Sequence, residues 1–110
     1  MPKNLYKLKE NLALIEELLK IIWIKSKAYP IEGLYYSEPV ENYELLTFYF
    51  NCGTDELFFA ITNKLDFYIQ DCKTDAVMTN FNQLNFYKKL INENYLDENL
   101  SFCFSHENFN

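Results

Sequence analysis

The sequence contains no arginine, because all ten of its basic residues are lysines. Arginine supplies the planar guanidinium that makes paired contacts with phosphates and base edges. The formal net charge of −6 adds long-range repulsion from a phosphate backbone. The chain is therefore not expected to bind nucleic acid directly.

Glycine and histidine are almost as scarce as arginine. Gly33 and Gly53 stand alone, whereas loops that cradle phosphates need several glycines close together. The single histidine, His106, has no second histidine to pair with, and we expect it to be a solvated tail residue. Carboxylates are plentiful, but no spacing marks a metal-binding loop or an acid–base pair. We predict no enzymatic activity, no cofactor and no metal site.

The three cysteines are isolated, and a disulfide framework or a zinc site would need pairs at defined spacing. We expect Cys52, Cys72 and Cys103 to be reduced, mostly buried thiols in a cytoplasmic protein. The acidic residues Glu16 and Glu17 interrupt the N-terminal apolar region, so neither a secretory signal nor a membrane span is expected.

Length and composition predict a single globular domain over residues 1–110, since 49% hydrophobic content supplies one core. Residues 3–27 carry apolar side chains at helical spacing, and Pro30 prevents continuation. We predict one helix of about 24 residues. The helix is expected to pack on its own domain rather than form a coiled coil. Its apolar stripe comprises Leu5, Leu8, Leu12, Leu14, Ile15, Leu18, Leu19, Ile21 and Ile22.

Trp23 falls near the polar side of this predicted helix. Two interpretations stay open. The chain after Pro30 covers the indole, or the indole is an exposed anchor for a partner.

Alternation of apolar residues predicts three consecutive antiparallel strands after a loop or edge strand at residues 31–42. The turns between them are predicted at residues 51–55 and 63–64. One face, the predicted core, carries Leu46, Phe48, Phe50, Leu57, Phe59, Ile61, Leu65, Phe67 and Ile69. The reverse face carries the rings of Tyr49, Phe58 and Tyr68, which form a docking surface if no helix covers them.

The C-terminal part predicts a loop at residues 71–79 and a helix at residues 80–94, capped by Asn80. The stripe of this helix comprises Leu84, Tyr87, Leu90 and Ile91. Alternation at Leu100, Phe102 and Phe104 suggests a last strand. The predicted fold class is α+β, with an antiparallel meander of three to five strands packed against the long N-terminal helix and a second, shorter helix near the C-terminus.

Charge is distributed unevenly along the sequence. Residues 1–27 hold six lysines against three glutamates, whereas residues 28–110 hold four lysines against thirteen acids. Some of these acids are expected to offset the lysines that crowd the N-terminal, positive end of the dipole of the first helix. The remaining acids give most of the molecule a negative field, which favours a basic partner.

In size and charge the chain resembles the small acidic immunity proteins that neutralise bacterial toxins, although it carries no motif of theirs. The leading hypothesis is a monomeric immunity protein or antitoxin that covers a basic, nuclease-type toxin. The alternatives are a phage-encoded inhibitor of a host nucleic-acid-binding defence protein, a self-associating adaptor module, and a small-molecule or enzyme domain that uses a cleft between the sheet and a helix. The candidate partner-binding residues are Glu38, Glu41, Glu44, Asp55, Glu56, Asp66, Tyr68, Asp71 and Asp75.

Overall fold

The computed structural model describes residues 4–78 and 83–97. These residues form two compact units, one of residues 4–22 and 83–97 and the other of residues 23–78. The predicted α+β class is confirmed, because a five-stranded antiparallel sheet accompanies helices near both ends of the chain. The single domain stays a prediction. Asn80, Cys103, His106 and the predicted strand at residues 100–104 lie outside the described residues.

The N-terminal helical region consists of three segments rather than one continuous helix. A 3-10 helix spans Leu5–Glu10, the α-helix α1 spans Leu12–Ile22, and a second 3-10 helix spans Ile24–Lys27. Asn11 leaves helical geometry at φ −119° and ψ 71°, and its side-chain oxygen accepts a hydrogen bond of 3.2 Å from the Leu14 N–H. The side chain thus caps α1 and starts a new helix.

Most of the predicted apolar stripe is nevertheless buried. Among its members there are two exceptions, since Leu12 is 37% exposed and Ile21 is half-buried. Trp23 is half-buried and its indole nitrogen is shielded from solvent. Its backbone is extended, at φ −110° and ψ 106°, which ends α1.

The second α-helix, α2, spans Gln83–Asn92 and belongs to the same unit as α1. Asn94 follows it in the left-handed region at φ 65°, and the Tyr95 N–H donates to the Leu90 carbonyl oxygen at 2.8 Å. This closure satisfies carbonyl groups at the end of the helix. The Lys89 ammonium lies 3.1 Å from the Glu17 carboxylate and connects α2 to α1.

The sheet of the other unit follows the chain in simple order, β1-β2-β3-β4-β5. Its strands are β1 Ile31–Ser37, β2 Glu44–Cys52, β3 Asp55–Thr62, β4 Phe67–Asp71 and β5 Val77–Met78. The three predicted central strands are therefore present, and the segment at residues 31–42 contains an edge strand. The predicted loop at residues 71–79 includes the short strand β5.

One turn and one bulge show how glycine positions the strands. Cys52 pairs directly with Asp55, so β2 and β3 are joined by a two-residue turn in which Gly53 has φ +63°. Gly33 also has φ +63°, and the β1–β2 register shifts between Glu32 and Tyr35. The shift is a β-bulge, which re-aims the residues that follow it.

The two faces of the sheet differ in burial as predicted. Most of the core assigned from alternation is confirmed, because eight of its nine members are buried: Leu46, Phe48, Phe50, Leu57, Phe59, Ile61, Phe67 and Ile69. The assignment of Leu65 was wrong, since it is half-buried and lies before β4 in the left-handed region at φ 65°. We call the face that carries the eight buried residues the buried face. The opposite face carries Tyr35, Tyr49, Phe58 and Tyr68, and we call it the aromatic face.

Candidate functional site

Four rings form a row across four neighbouring strands of the aromatic face. The strand register places Tyr35 beside Tyr49 and Tyr49 beside Phe58. The ring centroids are 5.5 Å apart for Tyr35 and Tyr49, 5.0 Å for Tyr49 and Phe58, and 6.0 Å for Phe58 and Tyr68. These separations are typical of attractive aromatic pairs. The rings thus make one continuous surface, the aromatic row.

The aromatic row is accessible to solvent, unlike the rings of the buried face. Tyr35 is 54% exposed, and Tyr49, Phe58 and Tyr68 are each half-buried. Phe48 and Phe59, by contrast, are fully buried. The row therefore offers ring faces and edges that another molecule can contact.

A cavity of about 410 Å³ lies against this row, and we call it the acidic groove. Tyr49, Phe58 and Tyr68 contribute rings to its lining. Among the described residues that line the groove, none is basic, whereas four are carboxylates. These are Glu38, Glu41, Glu44 and Asp75.

Glu44 is the most enclosed of these carboxylates, because only 8% of the residue is exposed. One of its oxygens accepts a hydrogen bond of 3.1 Å from the Glu41 N–H, and the other accepts one of 2.6 Å from the Tyr68 hydroxyl. Within residues 4–78 and 83–97, no cation forms an ion pair with Glu44. Hydrogen bonds therefore fix a buried carboxylate that lacks a counter-charge in the described part of the chain.

Partial burial and neighbouring negative charge change the pKa values of two groups that line the groove, Tyr68 and Cys72. Burial raises the pKa of the Tyr68 hydroxyl, and the hydrogen bond to Glu44 raises it further. Cys72 is exposed, in contrast to the buried Cys52. Partial desolvation nevertheless raises the pKa of the Cys72 thiol, with additional contributions from Asp71, Glu56 and Asp75. Tyr68 therefore stays a neutral donor at physiological pH, and Cys72 stays a thiol with little nucleophilic character.

Five of the nine sequence-predicted residues meet at the acidic groove. They are Glu38, Glu41, Glu44, Tyr68 and Asp75. Among the other four, Glu56 is exposed and lines a second cavity of about 350 Å³, which shares Tyr49 and Cys72 with the groove. Asp66 is exposed between β3 and β4 and does not line either cavity.

The remaining two acids are engaged within the sheet unit. The Asp55 carboxylate lies 2.7 Å from the Lys25 ammonium. Asp71 accepts hydrogen bonds from the backbone N–H groups of Lys73 at 2.8 Å and Thr74 at 3.1 Å, and these bonds lower its pKa. Both carboxylates thus have partners inside the chain.

Sequence reasoning missed Tyr35 and Tyr43 as members of this surface. Tyr43 lines the groove from the segment before β2, and Tyr35 extends the aromatic row. The isolated Gly33 is the signal that locates Tyr35, because a lone glycine in a strand pattern often marks a bulge. No comparable signal in the sequence locates Tyr43.

No protein-family model matches the chain, and no curated protein or solved structure matches it either. Within the described ranges, no helix combines the length and the apolar composition needed to cross a bilayer. Residues 4–78 and 83–97 also contain no group of three or more metal-ligating side chains placed to hold an ion.

Proposed function

We propose that this chain is a small acidic binding protein that inhibits a basic partner by occlusion, as an immunity protein or antitoxin does with a nuclease-type bacterial toxin. The acidic groove beside the aromatic row is the observation that carries the proposal. It joins four carboxylates, with no basic side chain among the described residues of the lining, to rings that are only half-buried. Such a surface complements lysines and arginines on a protein that normally meets phosphate.

The proposed mechanism separates the roles of charge and rings. The carboxylates of the groove attract a cationic surface and speed association, an effect that reaches about 10³-fold in favourable cases. The rings of Tyr35, Tyr49 and Phe58 then bury apolar area and slow release. A partner held in this way has its phosphate-binding surface covered, so its substrate is excluded without any chemical step.

The proposal includes action in the cytoplasm as a monomer. Cys72 is an exposed free thiol, and such thiols persist best in a reducing compartment. The edge strand β1 also carries a feature that discourages pairing with another sheet, because it contains the bulge at Gly33. Both features favour a binding protein over a self-associating adaptor.

Co-expression with the product of the neighbouring gene tests the proposal, which expects that product to be toxic. The wild-type chain is expected to restore growth and to form a stable complex with that protein on size exclusion. A variant with Glu38→Gln, Glu41→Gln and Asp75→Asn, the groove triple, is expected to lose protection. The proposal fails if the folded wild-type chain neither protects cells nor binds the neighbouring gene product.

A matched variant separates groove charge from overall charge. The control triple carries Glu10→Gln, Glu32→Gln and Glu93→Gln, and also removes three negative charges. These residues are exposed and do not line the groove. The control triple is expected to protect cells as the wild type does.

The phage-inhibitor alternative uses the same surface and the same physics. Protection of a phage from a nucleic-acid-binding defence protein, with no neighbouring toxin, would favour that alternative.

A further inference from the structure

We propose that the acidic groove receives an arginine side chain from the partner, with the guanidinium at Glu44 and its face on the aromatic row. The inference rests on the proposed function, because the basic partner named there is the protein that supplies the arginine. It goes further by naming the occupant of the groove and the groups that hold it.

The first support is the incomplete environment of Glu44. A carboxylate has about four acceptor positions, and the Glu41 N–H and the Tyr68 hydroxyl occupy two of them. A buried anion is costly unless it is both hydrogen-bonded and paired with a cation. Glu44 lines the groove, so a cation that enters the groove can supply the counter-charge that the described part of the chain does not provide.

The second support is the position of the rings. Phe58 and Tyr68, with centroids 6.0 Å apart, line the same cavity as Glu44. A cation within about 6 Å of a ring centroid is attracted by the negative ring face. Carboxylate and rings therefore attract the same kind of group from two sides.

The third support is the fit of a guanidinium to both surroundings. Guanidinium is planar, donates in a fork that matches a carboxylate, stacks on rings and is more weakly hydrated than an ammonium. The groove, at about 410 Å³, lies within the range of about 300–1,000 Å³ typical of ligand pockets. The chain itself contains no arginine, so a guanidinium in this groove comes from another molecule.

Titration with a capped Gly-Arg-Gly tripeptide, followed by NMR of the full-length isotope-labelled protein, tests the inference without the partner. Saturable shifts are expected for the amides of Glu44, Tyr49, Phe58 and Tyr68. The control peptide replaces arginine by citrulline, which keeps the shape and removes the charge. It is expected to bind at least about tenfold more weakly.

Two variants locate the charge and the ring. Glu44→Gln keeps the acceptor for Tyr68 and is expected to weaken binding of the arginine peptide about tenfold. Phe58→Leu keeps an apolar side chain and is expected to weaken it about threefold. Glu32→Gln, an exposed control with the same charge change, is expected to leave binding unchanged. Phe58→Leu provides an independent test if Glu44→Gln fails to fold.

Several results would overturn the inference. They are equal binding of the citrulline peptide, shifts that map outside the groove, and no saturable shift at peptide concentrations on the order of 10 mM. Concentration-dependent shifts of the groove residues without peptide would identify a second copy of the chain as the occupant, which also overturns it.

The peptide titration and the co-expression experiment test different claims, so one claim can be rejected while the other is retained. Peptide binding without protection from the toxin rejects the inhibitor function and retains the guanidinium site. Protection without peptide binding rejects the guanidinium site and retains the inhibitor function.

Discussion

The Tyr68 hydroxyl on β4 donates a hydrogen bond of 2.6 Å to the Glu44 carboxylate on β2, across the intervening strand β3. Ala60 lies on β3 between these strands and pairs with Thr47 on one side and Tyr68 on the other. Its methyl group leaves room for the tyrosine to reach across. This contact holds the carboxylate in the wall of the acidic groove.

Removal of the Tyr68 hydroxyl is expected to destabilise the fold. Tyr68→Phe leaves one oxygen of the buried Glu44 without its donor, which should lower the free energy of unfolding by about 1–2 kcal/mol. Urea denaturation measures this change. Tyr35→Phe, in which the altered ring is more than half exposed, should change the free energy by less than about 0.5 kcal/mol. Equal effects of the two substitutions would contradict the structural role of the contact.

The same contact predicts loss of stability at high pH. The pKa of Tyr68 is raised in the folded protein, so above its usual value near 10 the unfolded chain loses the proton first. The contribution of Tyr68 is therefore complete below about pH 10, and it declines above that by as much as about 1.4 kcal/mol per pH unit. Unfolding free energies of wild type and Tyr68→Phe between about pH 9 and 11 measure it. Parallel curves would show that Tyr68 does not contribute.

The bulge at Gly33 is expected to tolerate asparagine better than valine. Its φ is +63°, and a Cβ atom at this position would lie 3.1 Å from the Asn51 side-chain nitrogen. Left-handed geometry costs a residue with a Cβ about 1–2 kcal/mol, and asparagine adopts it more readily than valine. Thermal or urea denaturation should rank Gly33→Val below Gly33→Asn, and Gly33→Asn below wild type. A valine variant as stable as wild type would show that the bulge is not required.

Cys72 reports the electrostatic field of the groove. Its pKa is raised by partial desolvation and by Asp71, Glu56 and Asp75, so its alkylation at neutral pH should be slower than that of free cysteine. Asp75→Asn should speed the reaction, whereas Glu32→Gln should not. Peptide-resolved mass spectrometry measures the rate at Cys72 alone. A rate unaffected by Asp75→Asn would indicate that the carboxylate does not influence the thiol.

The strand pattern was readable from sequence because alternation directly records which side of a sheet is buried. The break at Asn11 could not be predicted from sequence. The apolar stripe continues through this residue, whereas the regular backbone hydrogen bonds of the helix are interrupted there. Periodicity records the buried side of a helix and is insensitive to a local change of helix type. The strand β5 was missed because two residues are too few to show alternation.

The acids were predicted from sequence as a set, but their roles depend on pairing that sequence does not show. Asp55 and Glu56 are neighbours, yet alternation along β3 directs them to opposite faces of the sheet. Asp55 pairs with Lys25, which is remote in sequence. Glu44 has the sequence pattern of an ordinary surface acid, because the Tyr68 hydroxyl that donates to it lies on β4, two strands away in the sheet.

The most direct test of the central claim is calorimetric titration of a hexa-arginine peptide into the wild type, the groove triple and the control triple. The two variants have the same net charge, so any difference between them reports where the charge lies. If the acidic groove is the binding surface, the groove triple weakens affinity by at least about tenfold, equivalent to about 1.4 kcal/mol, and the control triple by less than about threefold. Equal weakening by the two variants would contradict the account, because overall charge alone would then explain the binding.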